Sequence, residues 1–345
     1  MRPIAPVLIA TFLLLSGCAK VATGTGSDAS GPRASPPLPT SSASRSGVGC
    51  ANSATPVPRR NMAFVYMPNR QEAVLFGGSD ASGKGLADTW TWKAGCWAQQ
   101  SPAQSPPARD FTTAAYDSTN AVALLYGGRG GGQFYSDTWE WNGQAWTKVA
   151  SSGPPDMFGG PVAQFDPVTQ RVLLFGMVSG GLPETWLWDG SKWNRQSPAH
   201  TPDGRESPTM ALDATRGQVI LFSGLVPSRG ALSDTWTWTG TDWKELTPAT
   251  SPPPRFRATM GSWAAGHMVV LWGGVGVGVL LNDAWKWDGN TWSQIGSPGS
   301  VRSDAAATDA GSQVVFFGGD GPAGNYNDLQ AFDGTRWFLP QGISR

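Results

Sequence analysis

Histidine and cysteine are nearly missing from this 345-residue chain: it has two of the first and three of the second. So few nitrogen and sulfur ligands leave little room for a protein-built transition-metal site. Charge is also scarce, at 14% of residues, where soluble domains carry about a quarter. Lys plus Arg equals Asp plus Glu, 25 each, so there is no net field to draw nucleic acid or an acidic surface. No Gly-x-Ser-x-Gly, no paired-His helix and no phosphate loop occurs, and Gly130-Gly131-Gly132 does not open a helix. No cofactor, metal or nucleic-acid partner is therefore expected. What the chain has in excess is Gly (45) and Trp (18). Low charge with many glycines and indoles suits a sheet protein with many tight turns, and argues against a helical bundle.

The first seventeen residues read as an export signal. Arg2 supplies the positive start, and the apolar run Ile4 to Leu15 is too short to span a bilayer. It ends in Leu15-Ser16-Gly17-Cys18, which resembles the bacterial lipobox, where cleavage precedes the Cys and lipid is placed on its thiol. Cys18 is therefore expected to hold an exported protein at the bacterial cell membrane, on its outer face or the periplasmic side. Several acyl chains make such an anchor stable. Residues 18–58 form a Gly/Ser/Pro-rich linker with almost no apolar mass, expected to remain disordered. About thirty such residues span roughly 30 Å root-mean-square.

An internal repeat decides the fold. Trp-x-Trp occurs at Trp90/Trp92, Trp139/Trp141, Trp186/Trp188, Trp236/Trp238 and Trp285/Trp287. A third Trp follows five residues later: Trp97, Trp146, Trp193, Trp243, Trp292. A degenerate sixth copy reads Asp328-Leu329-Gln330-Ala331-Phe332, then Trp337. Each period, 45 to 50 residues between third tryptophans, has the same order. A run after a Pro-rich turn, often opened by Arg, leads to a β-rich run closing on Gly. An acidic residue then opens the Trp-x-Trp strand, and a turn such as Asn142-Gly143 leads to the last strand. Four short antiparallel strands per period, a to d from inner to outer, make one propeller blade. Gly-Gly closing strand b, acidic-x-Trp-x-aromatic in strand c and Trp five residues on resemble the kelch repeat. The resemblance runs over residues 59–340. It implies an all-β, six-bladed kelch-type β-propeller over 59–345, like the central domain of galactose oxidase. The Gly pair departs in blades three and four (Gly176-Met177, Ser223-Gly224), and blade six lacks the Trp pair.

Cys50 precedes blade one and Cys96 opens its strand d. In an oxidising envelope, with Cys18 lipidated, a Cys50–Cys96 disulfide is expected, the alternative being two free thiols. The copper oxidases that share the resemblance use two His and two Tyr; His200 and His267 fall in turns at opposite ends of the ring, so no copper site follows. Arg59, Arg109, Arg205 and Arg255 each stand eighteen residues before the first residue of the dipeptide ending strand b, with Arg302 a near match and Phe158 in their place in blade three. At the inner strand, they would ring one mouth of the central channel and offer planar forks to a ligand carboxylate. The competing reading is that each ties its own loop to carbonyls or to a neighbouring acid, and repetition favours it. Arg129, Arg229, Phe134, Tyr135 and Tyr326 lie on loops expected to share that mouth and complete the candidate ligand site. Kelch folds host binders and enzymes alike. The leading expectation is a binding module for a protein segment or an envelope glycan. The alternative is a sugar enzyme: some exported bacterial kelch propellers that this chain resembles are sialic-acid mutarotases, and Glu206 is the one weak candidate for their acid–base residue.

Overall fold

A computed structural model describes Cys50 and residues 54–340. The expected leader, Cys18 and most of the linker lie outside the described residues. The described chain holds no helix, hence none long and apolar enough to cross a membrane. It forms six four-stranded antiparallel sheets, each pairing its four strands in chain order, with a short two-stranded ribbon between the second and third strands of blades two, four and six. Blade one is Ala63–Met67, Glu72–Phe76, Thr89–Lys93 and Cys96–Gln100, and the other five repeat its order. Strand a of each blade meets strand a of the next, and blade six meets blade one, so the sheets close into a ring around a channel. No strand is borrowed to close it.

The tryptophans explain the closure. In Trp90-Thr91-Trp92 strand alternation puts both rings on one sheet face. That face packs on the sheet of the preceding blade. Trp90, Trp92 and Trp97 cover Val315 and Phe317 of blade six, and Trp139, Trp141 and Trp146 cover Val65, Val74 and Phe76 of blade one. Six such apolar clusters, one per seam, make up the core. A fully buried indole contributes up to about 4–6 kcal/mol by area.

Hydrogen bonds set the seams in register. The third Trp of a blade donates to the Thr that follows the acidic residue at strand c of the blade before: Trp146 to Thr89, Trp193 to Thr138, Trp243 to Thr185 and Trp292 to Thr235, all at 2.9–3.0 Å. Ala284 and Leu329 occupy the Thr position in blades five and six. Accordingly, Trp337 turns to the Gly296 carbonyl, and the Trp97 indole N–H is buried without a partner.

The Gly pair at the end of strand b supplies left-handed backbone. Gly77 and Gly78 have φ of 67° and 90°, and a Cβ on either would stand 2.7 Å from a carbonyl oxygen, of Arg109 and Arg60 respectively. The turn lets the b–c loop fold onto the next blade, where the Gly78 amide donates to the Arg109 carbonyl and the Arg109 amide to Leu86. The same stitch closes the ring, Gly319 to Arg59 and Arg59 to Tyr326. Blade three lacks the pair. Its strands b and c instead run on as Arg171–Val178 and Leu182–Trp188, an upright hairpin. Cys50 and Cys96 are bonded, which fixes the entering chain to the outer edge of blade one.

Candidate functional site

The repeated arginines do not line the channel mouth, and this corrects the expectation for all five. Arg59, Arg109, Arg205, Arg255 and Arg302 are buried, none more than 2% exposed. Each guanidinium makes a two-pronged pair with the acid opening strand c of its own blade: Asp88, Asp137, Asp234, Asp283 and Asp328. Each also donates to the carbonyl ending strand b, that of Gly77, Gly127, Ser223, Gly273 or Gly318. The eighteen-residue spacing is the span of that bond. A buried cation without a paired anion is costly, so the forks are fully used in holding b, c and the loop between them together. The acid has a second duty. In blades one, two, four and five it accepts from the first indole of its own strand, as Asp88 does from Trp90 and Asp283 from Trp285, and in blade six Asp328 accepts from the Gln330 side-chain amide. Burial works to raise the carboxyls of Asp88, Asp137, Asp283 and Asp328, but the Arg bonds and charge outweigh it and hold them below the usual aspartate range. Blade three has no such Arg. Its Glu184 accepts from Trp186 and pairs with the exposed Arg195 at 2.9 Å.

Two aromatic candidates belong to the same scaffold. Tyr135 and Tyr326 lie against the guanidiniums of Arg109 and Arg302, at 4.2 and 4.1 Å. Arg129 and Phe134 stand elsewhere, on the rim between blades two and three. Arg129 bonds Asp110 and covers the Phe111 ring at 4.4 Å. Phe134 meets Phe158 edge to face at 5.0 Å. Arg229 is exposed and paired with Asp203 in the loop of blade four. Glu206 exchanges backbone bonds with Leu225 and lays its side chain over Gly159; it is not among the residues lining the channel. His200 and His267 bond Asp242 and Thr215 on separate turns, and no group of three metal-ligating side chains occurs among the described residues.

The channel mouth is built two residues beyond the buried arginines. Asn61, Phe111, Ser207, Arg257 and Asp304 all have φ between 46° and 56°, and Gly160 of blade three has φ of 83°. Their backbones are chained around the mouth: Asn61 N–H to the Asp304 carbonyl, Asp304 to Arg257, Arg257 to Ser207, Ser207 to Gly159 and Phe111 to Asn61. No matching bond joins Phe111 to blade three. The six positions line one end of a cavity of about 700 Å³ that follows strand a of every blade, within the common range for ligand pockets of about 300–1,000 Å³. Strand a is an edge strand, so its unpaired N–H and C=O groups face this space and suit a ligand rich in donors and acceptors. Thr308, Thr113 and Ser262 satisfy some of them, at Tyr66, Ala163 and Leu212.

The mouth has two halves. Phe111, with Arg129 above it, offers an apolar plate. Opposite, Arg257 is 41% exposed and lies 3.8 Å from Asp304. Burial pushes the Asp304 carboxyl up, against the pull of Arg257 and of its bond from Ser303. These residues escaped the sequence reading because the repeat was read for what recurs. The available signal was the opposite one: two residues after a recurring Arg stands a position occupied by Asn, Phe, Gly, Ser, Arg and Asp in turn.

No protein-family model matches the sequence, and no curated protein matches it. Among solved structures, the chain is similar to that titled "Structure of YjhT", at 15% identity and a TM-score of 0.64, over 83% of this chain and 98% of that one. At this identity the likeness concerns the fold.

Proposed function

We propose that this protein is a lipid-anchored binding module of the cell envelope, and that its ligand, a glycan or a protein segment, sits at the channel mouth over Asn61, Phe111, Ser207, Arg257 and Asp304. The observation that carries this reading is the break in symmetry. Around the ring, positions that build the blades repeat, while the six that face the cavity differ in size, polarity and charge. Packing asks for sameness and recognition for difference. The exposed Arg257 fork fits an acidic group, Phe111 a sugar face or side-chain ring, and Asn61 and Ser207 hydroxyls or amides. The test is calorimetric titration with soluble muropeptides, acidic monosaccharides and acidic peptides. Saturable binding, weakened at least tenfold by Arg257→Ala and by Phe111→Ala with unchanged melting, supports the site. Equal binding by the wild type and both variants, or none across the panel, removes it.

Asp304 favours a second reading, the sugar enzyme. A carboxylic acid raised by burial, beside a cation and open to a cavity, suits proton transfer. A sialic-acid mutarotase would use it to protonate the ring oxygen. Anomer exchange followed by NMR decides this: turnover lost in Asp304→Asn but kept in Glu206→Gln supports it, and no turnover by the wild type dismisses it.

A further inference from the structure

The backbone ring at the mouth closes at five seams and stays open at one. Five links run between neighbouring blades, among them Ser207 to Gly159. A sixth would join blade three to the Phe111 carbonyl. Neither Gly159 nor Gly160 donates to it, and it accepts no backbone bond among the described residues. The b–c stitch is missing at the same seam. Gly78, Gly224, Gly274 and Gly319 each donate to the clamp arginine of the next blade, whereas Gly128 makes no such bond to Phe158. Between blades three and four the stitch is lost but the mouth link holds. Among the described residues, only the seam of blades two and three lacks both. The cause is local. Phe158 cannot clamp, and its ring packs on Phe134 instead. Strand a then bulges: its pairing with strand b jumps from Phe158 to Val162, across Gly159 and Gly160 with φ of 72° and 83°.

We infer that this opening receives a secondary amide of the ligand, from an N-acetylated sugar or from a peptide bond. The inference rests on the reading of the mouth as the ligand site. One wall of the opening is the Phe111 carbonyl, an acceptor without the partner its five counterparts have. The other is the Gly159-Gly160 backbone. Once a ligand displaces solvent there, leaving such groups unmatched is costly, so what binds must supply partners to both. A trans amide is planar and carries its C=O and N–H on opposite edges. It can donate to the Phe111 carbonyl and accept from the glycine backbone at once, standing in for the absent link. A carboxylate only accepts and an ammonium only donates. A hydroxyl does both but brings no apolar flank, and the opening has an apolar wall. A side chain at position 160 would crowd the Phe111 ring, its Cβ 3.2 Å from Cδ1. Glycine leaves that ring edge clear for the methyl or Cα that an amide carries. Phe111 and Gly160 both line the cavity.

The test is calorimetric titration of the full chain with two matched pairs of probes, all four bearing a carboxylate for Arg257. N-acetylmuramic acid is set against 3-O-lactylglucose, which has a hydroxyl in place of the acetamido group. The dipeptide alanyl-glutamate is set against its analogue with an ester oxygen in place of the amide N–H. The expected result is at least tenfold tighter binding of the amide member in one pair or both, and the pair that shows it names the source. Gly160→Ala, which narrows the opening, should abolish that preference, and Arg257→Ala should weaken both members of a pair alike. The comparison within the wild type needs no variant to fold, and melting of each variant is read in parallel. Amide and analogue binding within threefold of each other, with Arg257→Ala still weakening both, overturns the inference and leaves the mouth standing as the ligand site. A preference that survives in a folded Gly160→Ala chain also overturns it. Binding of none of the four probes overturns the inference together with the reading of the mouth.

Discussion

Asp283→Asn isolates the arginine clamp. Asp283 accepts both prongs of Arg255 at 2.7 Å and the Trp285 indole N–H at 2.7 Å. Arg255 has no exposed surface, and its remaining donors already serve the carbonyls of Gly273 and Pro253. The amide turns an N–H toward the guanidinium and takes away the compensating charge, so a cation stays buried half-paired. Breaking a buried pair in this way costs about 3–5 kcal/mol. Unfolding entropy is about 2.1 cal/mol/K per residue, which for a propeller of this size gives about 0.6 kcal/mol per degree. A fall in melting temperature of about 5–8 °C follows from the same relation, read by differential scanning calorimetry. Glu184→Gln is the internal control. Its partner Arg195 is 59% exposed and can return to water, so the cost is below about 1 kcal/mol. The double variant Arg255→Met/Asp283→Asn, which removes the buried cation, recovers part of the loss. If Glu184→Gln costs as much as Asp283→Asn, or if the two changes at the clamp simply add, burial of the arginine is not the source of the stability.

Acid should open the same clamps. Asp88, Asp137, Asp283 and Asp328 are held low when folded, so their contribution is complete above the unfolded value of about 3.9 and is lost as pH falls through the folded values. Melting temperature measured against pH should drop below about pH 4, with a shallower drop in Asp283→Asn. Asp304 has the opposite sign. Its raised carboxyl favours folding as pH falls through its folded value, so Asp304→Asn should leave stability at neutral pH unchanged or higher. At the seams, Thr235→Val leaves the buried Trp292 indole unpaired and should cost about 1–3 kcal/mol, seen in chemical denaturation. Ala284→Thr gives Trp337 the partner its counterparts have and should add about 0.5–1.5 kcal/mol; no gain would mean that the Gly296 bond already serves it as well.

The sheet architecture was legible because its cause is periodic. Six acid-and-aromatic strands, each followed by a Trp five residues on, could bury their rings only against identical neighbours, and the number of strands per period followed from the turns. The latch of the third Trp on the neighbour's Thr was present in Asp-Thr-Trp but not readable, because nothing local says which blade a side chain reaches. Blade three shows the same limit. Phe158 for Arg and Gly176-Met177 for Gly-Gly stood out as departures, but their consequence, an upright hairpin in place of a folded loop, depends on the next blade's backbone being available to stitch.

The position that faces the cavity stands two residues beyond the one that recurs, and the reason is physical. A cation conserved in place across repeats sees the same surroundings five times, and surroundings repeated five times are those of the scaffold. Arg205 and Arg257 make the contrast within neighbouring blades. The first meets the acid and the carbonyl that every clamp provides, and has no charge left to offer. The second occupies a position where other blades place Asn, Phe or Ser, so no blade-building contact requires it, and its guanidinium remains at the cavity. In a closed ring every unit faces the axis, and a ligand lying off that axis meets six different distances and six different chemical needs. The residues that answer it must therefore differ from blade to blade. The left-handed backbone shared by these six positions fixes where they point and leaves the side chains free to vary.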